Sequence, residues 1–398
     1  MSVASRFQAL DGLRFLAFSP IFFLHACGGS VFYQLALTAL DLFFLLSGFL
    51  TGFGRFEHFF TQDPKNHNAF INNTIGGISN KTNNNNHIGS YSLWIYTIRY
   101  MIKKIQIFYP WHVFCLLWSI CIFCYAPHSA GFMPHSVDEW LWKTPAYLLM
   151  VQSWWISPEI KFCFNGVSWF LASLMFCYAV SPLILKGISC AMKSRGKISI
   201  VLIALTALLV KTIPYMVEID GSLSEDFTKM FDRNIHSWPL LRLMDYTVGM
   251  CAGILFMLQS KISSVTIDSR LQLTVQIVLS LMIVVGSFLF PAPLTLILCA
   301  FWVYLTVKWS NTLLSKVMSS RVLVFLGGLV MPVYLTHNLV LKSMHVLDIR
   351  YGNLMFACIV FVFCFMLAWV IMWLLRQVRY LRIKNELISS NEKSQDTM

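Results

Sequence analysis

Asp11, Arg14 and His25 are ionisable side chains inside the first apolar segment of the chain. Arg14 and His25 stand eleven residues apart. On an α-helix that interval is about three full turns with about 20° left over, so both side chains fall on one stripe, roughly 16 Å apart along the axis. Asp11 lies one turn before Arg14 and joins the same face. Pro20 falls between Arg14 and His25, where it can bend the helix and free a carbonyl. Imidazole takes up and releases a proton near neutral pH, and guanidinium binds phosphate. Singly, Arg14 reads as an interfacial anchor whose charge snorkels to water, and His25 as a buried imidazole bonded between helices. Together on one stripe they read as a reactive site, with a cation at one end and a proton carrier three turns deeper.

Asp41 opens the run Asp41-Leu42-Phe43-Phe44-Leu45-Leu46-Ser47-Gly48-Phe49-Leu50. It can partner a neighbouring Arg or serve the site. Arg242 and Asp245 are three apart and can pair on one helix face. Gly249 and Gly253 continue that helix with a close-packing face. His337 follows Tyr334 by three residues, past Pro332, and is the second candidate for proton transfer. His112, His128 and His135 lack metal-ligand spacing, and there is no H-E-x-x-H, P-loop or G-x-S-x-G elbow. No metal and no bound cofactor is expected.

These groups must be held by elements whose solvent is lipid. Of 398 residues, 57% are hydrophobic and 12% charged, against about 25% charged in a soluble domain. That composition excludes a soluble enzyme, a disordered chain and a nucleic-acid binder. It predicts an all-α integral membrane protein, a polytopic bundle of about ten transmembrane helices. Apolar stretches of spanning length fall at 10–30, 36–54, 107–126, 166–186, 198–216, 239–258, 271–290, 293–309, 322–342 and 353–375. The stretch 144–157 is too short and reads as interfacial or re-entrant. Trp140, Trp142, Trp154 and Trp155 read as an interfacial belt.

The net charge of +12 divides by side. With the N-terminus in the cytoplasm, the inner loops take Arg55, Arg99, Lys103, Lys104, Lys193 and Arg195, and the outer loops take Asp138, Glu139, Glu218, Asp220, Glu225 and Asp226. Both termini are therefore placed in the cytoplasm. The first helix is read as uncleaved, because His25 and Asp11 suit neither a lipoprotein cleavage site nor a basic signal flank. The membrane body is drawn as 1–382 and a polar cytoplasmic tail as 383–398. Within the body, 61–92 is an Asn-rich polar loop whose sequons at Asn72 and Asn80 fall on the inner side. The 11 cysteines, Cys121 and Cys124 included, lie mostly in apolar runs and read as small hydrophobes, not as a disulfide code.

Several blocks occur in order: Ala9-Leu10-Asp11-Gly12-Leu13-Arg14 with His25, then Asp41 to Leu50, then Gln152-Ser153-Trp154 and Trp169 through Pro182. Pro239-Leu240-Leu241-Arg242 through Gly249-Met250 follow, then Leu326-Gly327 with Val333-Tyr334-Leu335-Thr336-His337. They resemble the acyltransferase 3 family of integral-membrane acyltransferases. The first block resembles its R-x10-H signature, the second its D-L-F-F-x-L-S-G-F-L motif and the last its L-G…Y-L-x-H motif. The resemblance runs from residue 9 to about 340. The chain departs from the pattern in three places. Asp245 stands where many members have Glu. Ile107, after Lys103-Lys104, stands where many have the second Arg of R-R-x-x-R. Leu174 and Met175 occupy the region of another Glu.

The resemblance implies transfer of an acyl group, often acetyl, from cytosolic acyl-CoA as co-substrate to a hydroxyl of a cell-surface carbohydrate or lipid-linked glycan, in a bacterial inner membrane. His25 is then the base or a transient acyl carrier. Arg14, Lys103 and Lys104 would bind the phosphates of the donor, and Asp11 would orient Arg14. His337 is a second proton carrier, with Asp41, Arg242, Asp245, Tyr334 and Trp169 in support. The implied partners are acyl-CoA, the glycan and membrane lipid, without nucleic acid. Two other readings stay open: a polytopic transporter, although no inverted repeat is apparent, and a catalytically inactive member of the family.

Overall fold

A computed structural model describes residues 3–60, 93–126, 133–155, 157–219, 236–259, 268–349 and 353–395. The Asn-rich segment 61–92, its two sequons, His128 and the acidic positions 220–226 lie outside the described residues. Among the described residues every regular element is helical. In chain order they are α1 (Val3–Cys27), α2 (Ser30–Phe60), α3 (Leu93–Tyr125), α4 (Val137–Leu148), α5 (Pro158–Lys161), α6 (Trp169–Arg195), α7 (Ile198–Ile219) and α8 (Pro239–Gln259). Then come α9 (Ser269–Leu289), α10 (Ala292–Lys308), α11 (Leu313–Met318), α12 (Arg321–Val346) and α13 (Leu354–Gln395). Among the described residues eight helices are long and apolar enough to cross a bilayer, and α7 and α10 carry shorter apolar stretches. The chain is a multi-pass membrane protein. The stretch 144–157 holds the end of α4 and a short 3-10 turn at Gln152–Trp154, and does not span.

Three boundaries differ from the hydropathy reading. α3 begins at Leu93, so Arg99, Lys103 and Lys104 are helical residues and not part of a loop before residue 107. α2 likewise carries Arg55 on its last turns. Hydropathy marks only where lipid is the solvent, whereas intrahelical hydrogen bonding continues past it with long cationic side chains reaching for water. For the same reason the backbone of α13 runs unbroken through residue 383 to Gln395.

The core is set by helix pairs that approach to backbone contact. α8 lies along α2. A Cβ on Gly48 or Gly52 would collide with the Tyr246 or Met250 carbonyl, and one on Gly249 or Gly253 with the Leu45 or Phe49 carbonyl. In lipid, where apolar side chains gain little by leaving their solvent, such close packing is what holds helices together. α12 meets α1 in the same way, with Gly327 against the Asp11 carbonyl. That contact fixes the register of the two helices, and at their other ends it brings His25 and His337 side by side. Gly249→Ala is expected to destabilise the protein by about 1–3 kcal/mol through forced separation of α2 and α8. Gly187→Ala, where a Cβ meets nothing within 4 Å, is expected to be neutral or slightly stabilising. Thermal unfolding in detergent distinguishes the two, and equal melting temperatures would refute the packing argument.

Candidate active site

Two cavities follow one another along α12, with Tyr334 lining both. The near cavity, of about 450 Å³, is the one lined by α1 at Arg14. Arg14, Arg55 and Lys104 line it, together with Tyr100 and Tyr178. The Arg14 guanidinium is ion-paired with Asp11 on its own helix. The Lys104 ammonium stands 3.9 Å from the centre of the Tyr178 ring and 5.4 Å from that of Tyr100, and the Arg55 guanidinium covers Tyr100 at 5.4 Å. Ring faces attract cations, so the two tyrosines hold two positive charges into the cavity without neutralising them. Among the described residues that line it there is no carboxylate, and Leu174 forms part of the wall. Lys103 does not share this cavity: it is exposed, because one residue along a helix turns the side chain by about 100°. Ile107 is 60% exposed and points outward.

The far cavity, of about 340 Å³, is lined by His25, Trp169, Tyr334, Asn338 and Lys342. His25 opens onto it and makes no hydrogen bond among the described residues. Behind it the His337 ring is fully buried, with ring centres 5.2 Å apart and planes at 55°. His337 Nδ1 lies 2.7 Å from the Tyr334 carbonyl. A carbonyl only accepts, so Nδ1 carries the proton and donates it. Nε2 is then left as a lone pair, and it is buried without a partner.

Tyr334 lines both cavities. Its ring packs against that of Phe170 at 4.9 Å. Phe170 faces the near cavity and its neighbour Trp169 the far one. Tyr334 and Phe170 therefore form a partition one aromatic layer thick, with three cations on one side and an imidazole on the other. The Tyr334 hydroxyl makes no hydrogen bond among the described residues.

A profile of the family described as an acyltransferase domain, acyltransferase 3, matches residues 7–373. The chain belongs to the acyltransferase 3 family. Searches of curated proteins and of solved structures find no match. The family makes this membrane protein an acyltransferase.

Beside the cavities, this acyltransferase buries four charges together. Lys211 of α7 donates to Asp41 at 2.8 Å and is ion-paired with Asp245. Arg242 pairs with Asp41, and with Asp245 at 2.9 Å. The group closes on itself, two carboxylates against two cations, which is the condition for keeping charge in a low-dielectric interior. The Arg242 guanidinium lies 5.8 Å from the Trp169 ring and 5.4 Å from that of Phe44, so the cluster braces the wall of the far cavity from outside.

A second brace caps the far end. Asn165 donates to the Leu335 carbonyl at 2.7 Å, and Gln152 reaches the Ser168 hydroxyl at 3.3 Å. His112 lies flat on Tyr147, ring centres 4.2 Å apart. In the same cap, outside the spans, burial lowers the Lys161 ammonium to about 8 and raises the Cys163 thiol to about 12. That thiol is therefore protonated at neutral pH and is no nucleophile. Among the site residues, the reading of the sequence missed Lys211, Asn338 and Lys342, and took Arg55 only as a loop charge. For Lys211 the signal was present, a lysine inside an apolar helix. For the other three, only the rotation of the helices shows which way they face.

Proposed function

We propose that this acyltransferase moves an acyl group, acetyl in the simplest case, from acyl-CoA to a hydroxyl of a cell-surface carbohydrate or lipid-linked glycan. The observation that carries the reading is the pair of cavities sharing Tyr334, one cationic and one bearing His25. Phosphates of the donor suit Arg14, Arg55 and Lys104. The excess of Lys and Arg toward that face supports a cytosolic side for it, and a bacterial inner membrane fits such a donor.

The chemistry follows from the groups at the partition. His25 takes the proton of the acceptor hydroxyl as its oxygen attacks the thioester carbonyl. The new C–O bond forms, the C–S bond breaks, and CoA leaves as a thiolate that then takes a proton. His337, with its lone pair behind His25, shares the positive charge that His25 acquires. The Tyr334 hydroxyl donates to the carbonyl oxygen as negative charge gathers there.

Membranes from cells expressing the chain, given isotope-labelled acetyl-CoA, test this by mass spectrometry of their glycans and glycolipids. Alkali-labile labelled acetyl esters above those of control membranes are expected, and their absence would sink the reading. Tyr334→Phe is expected to lower kcat by about a hundredfold while the KM for the donor moves little. An unchanged kcat would remove the hydroxyl from the mechanism.

A further inference from the structure

α1 and α13 meet along a seam of aromatic rings. Phe15 packs on Phe365 with ring centres 5.4 Å apart. Further along α1, Phe22 and Phe23 pack on Phe361 at 5.0 and 5.6 Å. Numbers rise on α1 as they fall on α13, so the two helices run antiparallel, and their Cα atoms approach within 8 Å. Cys27 ends α1, four residues beyond Phe23. Cys358 lies near the start of α13, three residues before Phe361. Intervals of three and four residues keep to one helix face. Both cysteines therefore lie on the seam, one turn past its last rings, and the register sets them opposite each other. Charge on the Cys358 sulfur is close enough to act on the Cys27 thiol. Neither is sealed in the core: Cys27 is half-buried and Cys358 exposed. Packing asks only for a small apolar group at each position, and does not ask for two sulfurs across one seam.

We infer that Cys27 and Cys358 are a disulfide pair that staples the end of α1 to α13. The oxidant is an external disulfide, oxidised glutathione or an oxidised dithiol protein. One cysteine, as its thiolate, attacks a sulfur of that disulfide and displaces a thiolate. The second cysteine, as its thiolate, attacks the mixed disulfide and displaces the other. The bond between the two cysteine sulfurs forms, the S–S bond of the oxidant breaks, and its two sulfurs leave as thiols with two electrons and the two cysteine protons. The staple sits beside the reactive site. His25 is two residues before Cys27, and Gly28 and Gly29 follow with φ of 70° and 95°. Two glycines make a compliant joint between α1 and α2, so the cross-link fixes the helix end that carries His25 to the far cavity. The pairing stands on this geometry. That the pair meets an oxidising compartment rests on placing the opposite face in the cytosol.

The full chain in lipid nanodiscs is treated with oxidised glutathione, then with a maleimide, and digested for mass spectrometry. Wild type is expected to give one joined peptide holding Cys27 and Cys358, with neither cysteine labelled. Its melting temperature is expected to rise by about 5 °C on oxidation. In Cys27→Ser, Cys358 is expected to carry maleimide or glutathione, and the oxidant no longer moves the melting temperature. Wild type in which both cysteines stay labelled, carry separate glutathiones or join a third cysteine overturns the pair. Cells whose thiols are blocked at lysis report the compartment. A pair that closes in nanodiscs and is open in cells stands as a pair and sinks the assignment of the two faces. Acyl transfer enters none of these readouts, so its failure is seen separately.

Discussion

His25→Ala lowers kcat by about a thousandfold, the middle of the range for loss of a general base, while the melting temperature stays where it was. Both halves of this expectation come from the surroundings of the ring. His25 faces the far cavity and has no hydrogen bond to lose among the described residues, so truncation leaves the fold with little to repair. Its nearest aromatic neighbour is His337, behind it at 5.2 Å. The cavity is open to small molecules, so added imidazole is expected to restore part of the rate. Transfer assays with and without imidazole, beside thermal unfolding, check both points. A variant that keeps more than a tenth of the activity would move the base elsewhere, first to His337. That residue behaves differently when replaced, because it is fully buried and packs edge-on against Phe18 at 5.4 Å.

Lys211→Met has the largest expected effect on stability. It leaves Asp41 and Asp245 buried with Arg242 as their remaining cation in the cluster. Breaking a buried ionic group from one side costs about 3–5 kcal/mol, because the charge left behind is uncompensated. The double variant Lys211→Met with Asp245→Asn returns the cluster to one carboxylate and one cation, and should recover more than half of the loss. Denaturant titrations of the detergent-solubilised protein measure both. If the single variant unfolds with the wild type, the four charges do not hold the helices together. The cluster joins α2, α7 and α8 and sits beneath Trp169, so partial loss of acceptor binding is expected to accompany the loss of stability.

The helices were legible because lipid imposes a length and a composition on whatever crosses it, and each apolar stretch of spanning length lies on a helix. The close face of α8 was legible too, since Gly249 and Gly253 at four-residue spacing leave a groove that a neighbour must fill. Spacing within one helix carried as far as the stripe of Arg14 and His25. It could not show that the stripe serves two chambers, because the partition comes from Tyr334 on α12 and Phe170 on α6. Lys103 and Lys104 mark the limit most plainly. Adjacent in sequence and identical in chemistry, they point about 100° apart, and only the placement of Tyr178 decides that Lys104 turns inward. Asn338 and Lys342 were hidden for the same reason: a face of a helix acquires a meaning once something stands opposite it.

Two chambers set end to end through a bilayer would conduct if they joined. The Tyr334 and Phe170 rings insulate one from the other, and insulation suits a membrane that stores energy as an ion gradient. An acyl transfer run across such a septum has to pass only a few atoms through it, while the proposed donor stays on one side and the proposed acceptor on the other. A hole bored at this septum, as in Tyr334→Gly, would let protons follow the acyl group, and the cell would register the damage as lost voltage before it registered lost esters.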